Sequence, residues 1–351
     1  MSGTAPQDPN APVMLRQFDG LRNTIEREKL SAADLEVGRN IDLDDAKQPR
    51  RRRGYTSVDT GNYHSIFQAP QWVLGVRNAA LGVIRPDYTF MTLKTGVGSD
   101  PLAYVPIGGR VYFSSALTSG VVNEDLTVSG WGVVGGDRTW HSPVVNPTST
   151  LGAIRGQVLG APPLATALTA YNGRIYLAQA RALWATELFL YGLVDKTRRF
   201  LQFESDITAL GSVNDGVYVG TETGAFFLEG DRFDEMKLVQ VTAVGVARGS
   251  MISVPAELVE PIQQHQPMTE SRPAVMFLTQ SGLCVGLEKG SVYNLTQDRV
   301  LFPAAEQVAA IFRRQDGVNQ YIGVVDSGGT PTTTARIGDF VDAEIRRYSG
   351  A

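Results

Sequence analysis

Four segments of this chain repeat one design, and that repetition constrains the fold more than any other feature. They are Val105-Pro-Ile-Gly-Gly-Arg-Val-Tyr-Phe-Ser, Thr169-Ala-Tyr-Asn-Gly-Arg-Ile-Tyr-Leu-Ala, Ser212-Val-Asn-Asp-Gly-Val-Tyr-Val-Gly-Thr and Phe277-Leu-Thr-Gln-Ser-Gly-Leu-Cys-Val-Gly. Each is an apolar run, a glycine-containing turn and a second run with alternating apolar side chains, the pattern of a β-hairpin. Asn172-Gly173 and Asp215-Gly216 are dipeptides that accept positive φ in type I′ turns. Weaker copies run from Trp72 to Ile84 and from Ala309 to Val324. One hairpin cannot bury its own apolar face, whereas several repeated around an axis can. Tyr176 and Tyr218 lie about 40 residues apart, within the range of one four-stranded propeller blade. Tyr112 and Tyr176 lie roughly 60 apart, so that unit is expected to carry an insertion near 130–163. The fold expected is all-β, a β-propeller-like body of repeated antiparallel hairpins with an N-terminal arm. A β-sandwich of similar hairpins is the rival, and the period favours the propeller.

The 37 glycines and 18 prolines among 351 residues suit many short strands joined by tight turns. Residues 1–13 are rich in Pro, Ala and Asn without periodicity, and form the expected flexible leader. Residues 14–54 form the arm and first strands, and 55–351 the body. In the arm, Ser31 and Asp34 fit a variant capping box around one helical turn. Arg39 to Asp44 alternates as a strand, Gln48-Pro49 turns, and Arg50 to Arg53 follows. The spacing predicts two short helices, Leu183 to Leu193 and Gln307 to Arg313.

The formal net charge of −4 supplies no excess of Lys and Arg to grip the outside of a duplex. A channel through which DNA merely slides is compatible with it. The single Cys284 excludes an intramolecular disulfide framework and a multi-cysteine zinc site, and makes a reducing cytoplasm the natural place of synthesis. Met1 to Pro12 lacks the pattern of a secretory signal. The uncharged stretch between Arg155 and Arg174 contains Pro162 and Pro163, so no membrane insertion by this chain is expected.

An enzyme would need a site, and none stands out. His64, His141 and His265 have no ligand partner at metal-binding spacing. Neither a nucleophile elbow nor a Walker or dinucleotide-binding loop is present. Gly135-Gly-Asp-Arg-Thr-Trp140 is a faint echo of a sialidase box, without its Ser and spacing. Asp42, Asp44 and Asp45, or Glu222 and Glu229, could pair for acid–base work, but acidic residues on turns are usually only solvated. No catalytic residue, metal or cofactor is expected.

Three features suit assembly instead. Arg50, Arg51, Arg52 and Arg53 follow closely on Asp42 and Asp44. They form either a solvated hairpin with internal ion pairs or a bridge to acidic residues of a neighbouring subunit. The leader is either disordered or an arm that orders on a neighbouring ring. Trp131 and Trp140, in the Gly- and Pro-rich insertion, are either internal packing or interface anchors. The polar stretch from Gln263 to Arg272 is a linker or a docking loop.

Taken in order, Phe18-Asp-Gly-Leu-Arg-Asn-Thr, Leu30-Ser-Ala-Ala-Asp-Leu, Arg39-Asn-Ile-Asp-Leu-Asp-Asp and Arg50-Arg-Arg-Arg-Gly-Tyr resemble the opening of tail proteins of short-tailed bacteriophages. These are the nozzle, tail hub or head-completion (DNA stabilisation) proteins. The resemblance continues through Tyr171-Asn-Gly-Arg-Ile-Tyr, Leu183-Trp-Ala-Thr-Glu, Asp215-Gly-Val-Tyr and Gly282-Leu-Cys-Val-Gly, covering nearly all the chain after residue 14. It implies a propeller-bearing subunit of a homo-oligomeric ring, a hexamer by preference, docked on a portal or adaptor ring. Such a ring closes the DNA channel for genome retention and ejection without reading sequence. The implied location is the virion tail, with assembly in the host cytoplasm. The alternatives are a tail protein that anchors fibres or recognises a host receptor and, behind it, a propeller hydrolase.

Overall fold

A computed structural model describes residues 17–38, 41–43, 47–51, 56–132, 159–256, 272–296, 299–300, 305, 307–315, 318–326 and 343–346. The arm contains β1 (Gly20–Leu21) and β2 (Asp34–Leu35), which pair in parallel, and β3 (Ile41–Leu43) and β4 (Pro49–Arg51), which pair antiparallel. The first large sheet follows in chain order: β5 (Tyr63–Gln68), β6 (Val73–Arg77), β7 (Ala80–Ile84) and β8 (Phe90–Thr95). The second is β9 (Ala103–Ile107), β10 (Arg110–Ser114), β11 (Ser119–Val122) and β12 (Val128–Ser129).

A short β13 (Leu159–Gly160) precedes the third sheet, formed by β14 (Ala167–Tyr171), β15 (Arg174–Gln179), β16 (Ala182–Ala185) and β18 (Phe200–Gln202). The intervening β17 (Val194–Asp195) pairs with β13. The fourth is β19 (Ile207–Val213), β20 (Gly216–Thr221), β21 (Ala225–Glu229) and β22 (Lys237–Thr242). The fifth is β23 (Ile252–Pro255), β24 (Pro273–Thr279), β25 (Gly282–Gly286) and β26 (Val292–Asn294). A three-stranded sixth sheet consists of β27 (Gln307–Gln315), β28 (Val318–Asp326) and β29 (Ala343–Arg346). All strand pairs within these six sheets are antiparallel. No α-helix occurs among the described residues.

The sheets stack in sequence, and each neighbouring pair shares a buried core. Leu74, Val76, Phe113 and Val122 join the first to the second, and Tyr112, Leu168 and Ile175 the second to the third. Tyr176, Leu183 and Val217 join the third to the fourth, and Tyr218, Phe227 and Phe277 the fourth to the fifth. Met276, Val285, Val308 and Tyr321 join the fifth to the sixth. This succession of four-stranded antiparallel sheets, each packed on the next, is the propeller-like body expected from the hairpin repeats.

Two kinds of turn recur. Asn172-Gly173 and Asn78-Ala79 both place two residues at positive φ, as a type I′ hairpin requires. Asp215-Gly216 does not. The turn there is Asn214-Asp215, Gly216 already pairs with Val213, and neither Asp215 nor Gly216 has positive φ. Gly216 is needed for another reason: a Cβ there would lie 2.2 Å from the Leu228 carbonyl oxygen and 2.5 Å from the Phe227 ring. The second turn leads into the last strand of a sheet. Asp87 Oδ1 accepts from Thr89 N and Oγ1 at 3.0 and 2.7 Å, and Asp125 does the same for Thr127 at 3.0 and 2.6 Å. Asp195 repeats it with Thr197 before β18. A short side chain that satisfies the backbone two residues on is an Asx-turn.

Three local expectations are corrected. Leu183 to Leu193 is not helical: β16 takes its start, and a turn from Thr186 to Leu193 takes the rest. Gln307 to Arg313 lies in β27, where Val308, Ala310 and Phe312 alternate toward the fifth sheet. Ser31 and Asp34 do make capping-type contacts, with Ser31 N to Asp34 Oδ2 and Ala33 N to Ser31 Oγ both 3.3 Å, but they close a turn ahead of β2.

Candidate functional site: the arm and its tie to the body

The charged residues of the arm organise around Asp34, whose side chain is only 3% exposed. Arg299 Nη2 lies 2.8 Å from Asp34 Oδ1, and Arg22 Nη1 lies 3.5 Å from Oδ2. Arg299 also donates to the Asp19 carbonyl at 3.0 Å, and its own carbonyl accepts from Asn23 N at 2.9 Å. The arm is therefore tied to the segment that links the fifth and sixth sheets. Burial raises the Asp34 pKa, but hydrogen bonds from Ser31 and Arg299, with the charge of Arg299, outweigh it and hold the carboxyl below its ordinary value. A buried carboxylate needs such partners to stay ionised.

The basic run was expected beside the Asp42 strand, and the two strands do pair. Asp42 stands opposite Arg50, Ile41 opposite Arg51 and Leu43 opposite Pro49. Arg50 and Arg51 are exposed. Arg52, Arg53, Asp44, Asp45 and Trp140 lie outside the described residues, as do His141, His265 and the stretch 263–271. Trp131 is described, and it is core: it is 6% exposed, its indole N–H donates to the Tyr191 carbonyl at 2.8 Å, and its ring lies 5.4 Å from Tyr112. Of its two readings, packing holds and interface anchor does not.

A second charged network supports an exposed turn. Arg199 Nε lies 3.1 Å from Glu187 Oε1 and Arg174 Nη1 lies 3.6 Å from Glu187 Oε2, while Arg199 also pairs with Asp234 near the fourth sheet. The turn that begins at Glu187 presents Leu188, Phe189 and Leu190 to solvent. Phe189 is 69% exposed at φ 57° and is pinned by its N–H to the Gly173 carbonyl at 2.8 Å. A bulky residue at positive φ is strained, so this apolar tip is held in place by its surroundings.

A cavity of about 570 Å³ opens where the fourth, fifth and sixth sheets meet, lined in part by Glu222, Arg248, Gln280 and Gln307. Among the described residues Glu222 is the single carboxylate of its lining. Glu229 stands beside the start of β20, opposite Gly216, whereas Glu222 lies past its end. Six residues of strand put roughly 20 Å between them, too far for the paired-carboxylate chemistry considered from sequence. His64 Nδ1 sits 2.9 Å from Ser65 Oγ, and burial lowers its pKa. Burial pushes the Cys284 thiol up to about 11, which leaves it protonated. Among the described residues no group of three or more His, Cys, Asp or Glu is placed to hold a metal ion. Nor is any helix of theirs long and apolar enough to cross a membrane.

The signal for the arm's tie was missed in the sequence because Arg299 and Asp34 are far apart in the chain. The Asx-turns could have been found, since Asp-x-Thr stands at 87–89, 125–127 and 195–197.

No protein-family model matches the chain, and no curated protein matches it. Solved structures do resemble it in fold. BBS1N, solved in complex with ARL6DN, aligns with TM-score 0.45 and 12% identity over 82% of this chain and 83% of its own. The Neurospora crassa Pan2 WD40 domain aligns with TM-score 0.41 and 8% identity over 73% and 70%. The N-terminal domain of Nup159 aligns with TM-score 0.45 and 8% identity over 76% and 74%. The propeller-like architecture itself rests on the strand pairing and shared cores described above.

Proposed function

We propose that this chain is a structural subunit of a short-tailed bacteriophage tail, one copy of a nozzle or hub ring through which DNA passes. The observation that carries this reading is the pairing of the two motif strands of the arm, Asp42 opposite Arg50, ahead of a body of stacked four-stranded sheets. Order of motifs, arm and body together match what the resemblance implies. The exposed Arg50 and Arg51 suit a contact with acidic residues of a neighbouring subunit. The ring would act sterically, by narrowing the channel, with portal or adaptor proteins above it.

Cryo-electron microscopy of purified particles tests the reading. A symmetric ring of this chain around the DNA axis below the portal is the expected result. Absence of the chain from every particle would remove the tail role. The exposed tip Leu188-Phe189-Leu190 favours a second reading, attachment of a fibre or receptor. That reading would place the chain at the tail's periphery in the same maps.

A further inference from the structure

The arm leaves the body at one end of the sheet series and is fastened at the other. Downstream it runs into β5 of the first sheet, and that junction is fixed. Asp59 accepts from the Tyr63 hydroxyl at 2.6 Å and from Gly61 N at 2.9 Å, and it lies 3.1 Å from the Arg77 guanidinium of β6. Upstream the arm meets Arg299, which stands on a turn closed by its own N–H to the Thr296 carbonyl at 3.0 Å. Val300, the next residue, packs against the core shared by the fifth and sixth sheets. Arg299 is therefore anchored at the far end of the series, and its guanidinium and carbonyl reach Asp34, Asp19 and Asn23 of the arm.

Between these two catches the arm is itself laced. Phe18 N donates to the Lys47 carbonyl at 3.0 Å, and Lys47 Nζ lies 3.1 Å from Asp19 Oδ1. Lys47 stands just ahead of β4, so the β3–β4 hairpin hangs on Asp19, whose carbonyl Arg299 holds. The ties thus run from Arg299 through Asp19 and Lys47 into β4. The chain from Arg51 to Asp59 then spans at most about 30 Å, even fully extended. No described arm residue belongs to the buried apolar core. The arginines of both catches are partly open to water, Arg299 at 25% and Arg77 at 36%. Charge holds this segment, at positions that other charged groups can reach.

We propose that the arm is a strap that limits how far the first sheet can move from the fifth and sixth, and that its Arg299 catch is the part that opens. Each apolar core joins one sheet to the next, so small slips at successive cores add up at the ends of the series. A tie of fixed length between the ends removes that freedom. Opening one cluster of ion pairs and hydrogen bonds restores it without unfolding a sheet. Only the consequence rests on the ring reading: a subunit with its catch open can spread, and so widen a channel.

Pulsed electron spin resonance on the purified full chain tests it, with spin labels on Thr92→Cys in the first sheet and Ala309→Cys in the sixth, both exposed positions. Cys284 is buried and stays unlabelled. One narrow distance distribution is expected with the strap closed. Arg299→Ala should broaden it and move its mean to a longer distance, while near-ultraviolet circular dichroism shows the cores unchanged. Asp59→Asn loosens the other catch and adds only the residues up to Tyr63 to the strap, so its shift should be smaller. A specific protease site between Arg53 and Gly54 is the sharper arm, because cleavage there leaves Arg299 clasped and removes only the connection. It should lengthen the distance as Arg299→Ala does. An unchanged distance in Arg299→Ala, or a shift there that cleavage does not reproduce, overturns the strap. Failure of the tail reading is separate: a chain absent from particles, whose end-to-end separation still depends on Arg299, keeps the strap and loses only its place in a ring.

Discussion

The fourth and sixth sheets are made of the same hairpins, yet they live in different surroundings. The fourth is packed on both faces, with Val217 and Leu228 toward the third sheet and Tyr218 and Phe227 toward the fifth. The sixth is packed on one, through Val308 and Tyr321, and leaves Ile311 and Val324 in solvent. The difference teaches that a hairpin's sequence selects the strand pair, whereas the number of neighbours decides how much its side chains stabilise. Apolar residues on both faces are a statement about intended neighbours.

Truncation should expose that contrast most strongly. Tyr218→Ala removes a fully buried ring whose hydroxyl donates to the Leu287 carbonyl at 2.5 Å and the Ser291 carbonyl at 3.1 Å. Urea denaturation should show a loss of about 3–5 kcal/mol. Ile311→Ala in the monomer should cost about 0.5 kcal/mol or less. Equal losses would break the comparison. Gly216→Ala comes next, because a methyl group there must displace the Leu228 carbonyl or the Phe227 ring. A loss of about 1–3 kcal/mol is expected, and a neutral result would show that the fourth sheet yields more than its packing suggests.

The arm provides a smaller effect. Arg299→Ala leaves Asp34 without its nearer partner, and limited proteolysis should then cut between residues 17 and 51 while the sheets stay protected. The same release should occur in acid. Because the folded pKa of Asp34 is lowered, its stabilisation is complete above the unfolded value of about 3.9 and is lost as pH falls through the folded value. Protection of the arm at pH 5 and its loss in stronger acid is the expected profile; an arm cut equally at both would sink the tie. Least of all, the Cys284 thiol, buried between the fourth and fifth sheets, should ignore a thiol reagent in the native protein and react once urea unfolds it.

The hairpins were legible because turn chemistry and alternation are local. Asn172-Gly173 announces its own φ values, and the residues around it pair as expected. The misread helices show the limit of that locality. Val308, Ile311 and Phe312 have the spacing of a helix face, but the fifth sheet rewards alternation and draws Val308 and Phe312 inward together. Asp215-Gly216 misled for the opposite reason: its glycine is there for a neighbour's ring and not for its own torsions. In the arm, the basic strand and its acidic partner strand could be matched from sequence, being separated by a short turn. The Asp34–Arg299 pair could not, since nothing near either residue points to the other.

That pair also sets an order of events. Each hairpin sheet can form as soon as its own residues leave the ribosome, and each new sheet finds its predecessor already waiting. The arm is made before the first sheet, yet its anchor at Arg299 is made only after the fifth. Until Arg299 is made, the arm is therefore a part of the chain without a place, and its locking can only follow the fifth sheet.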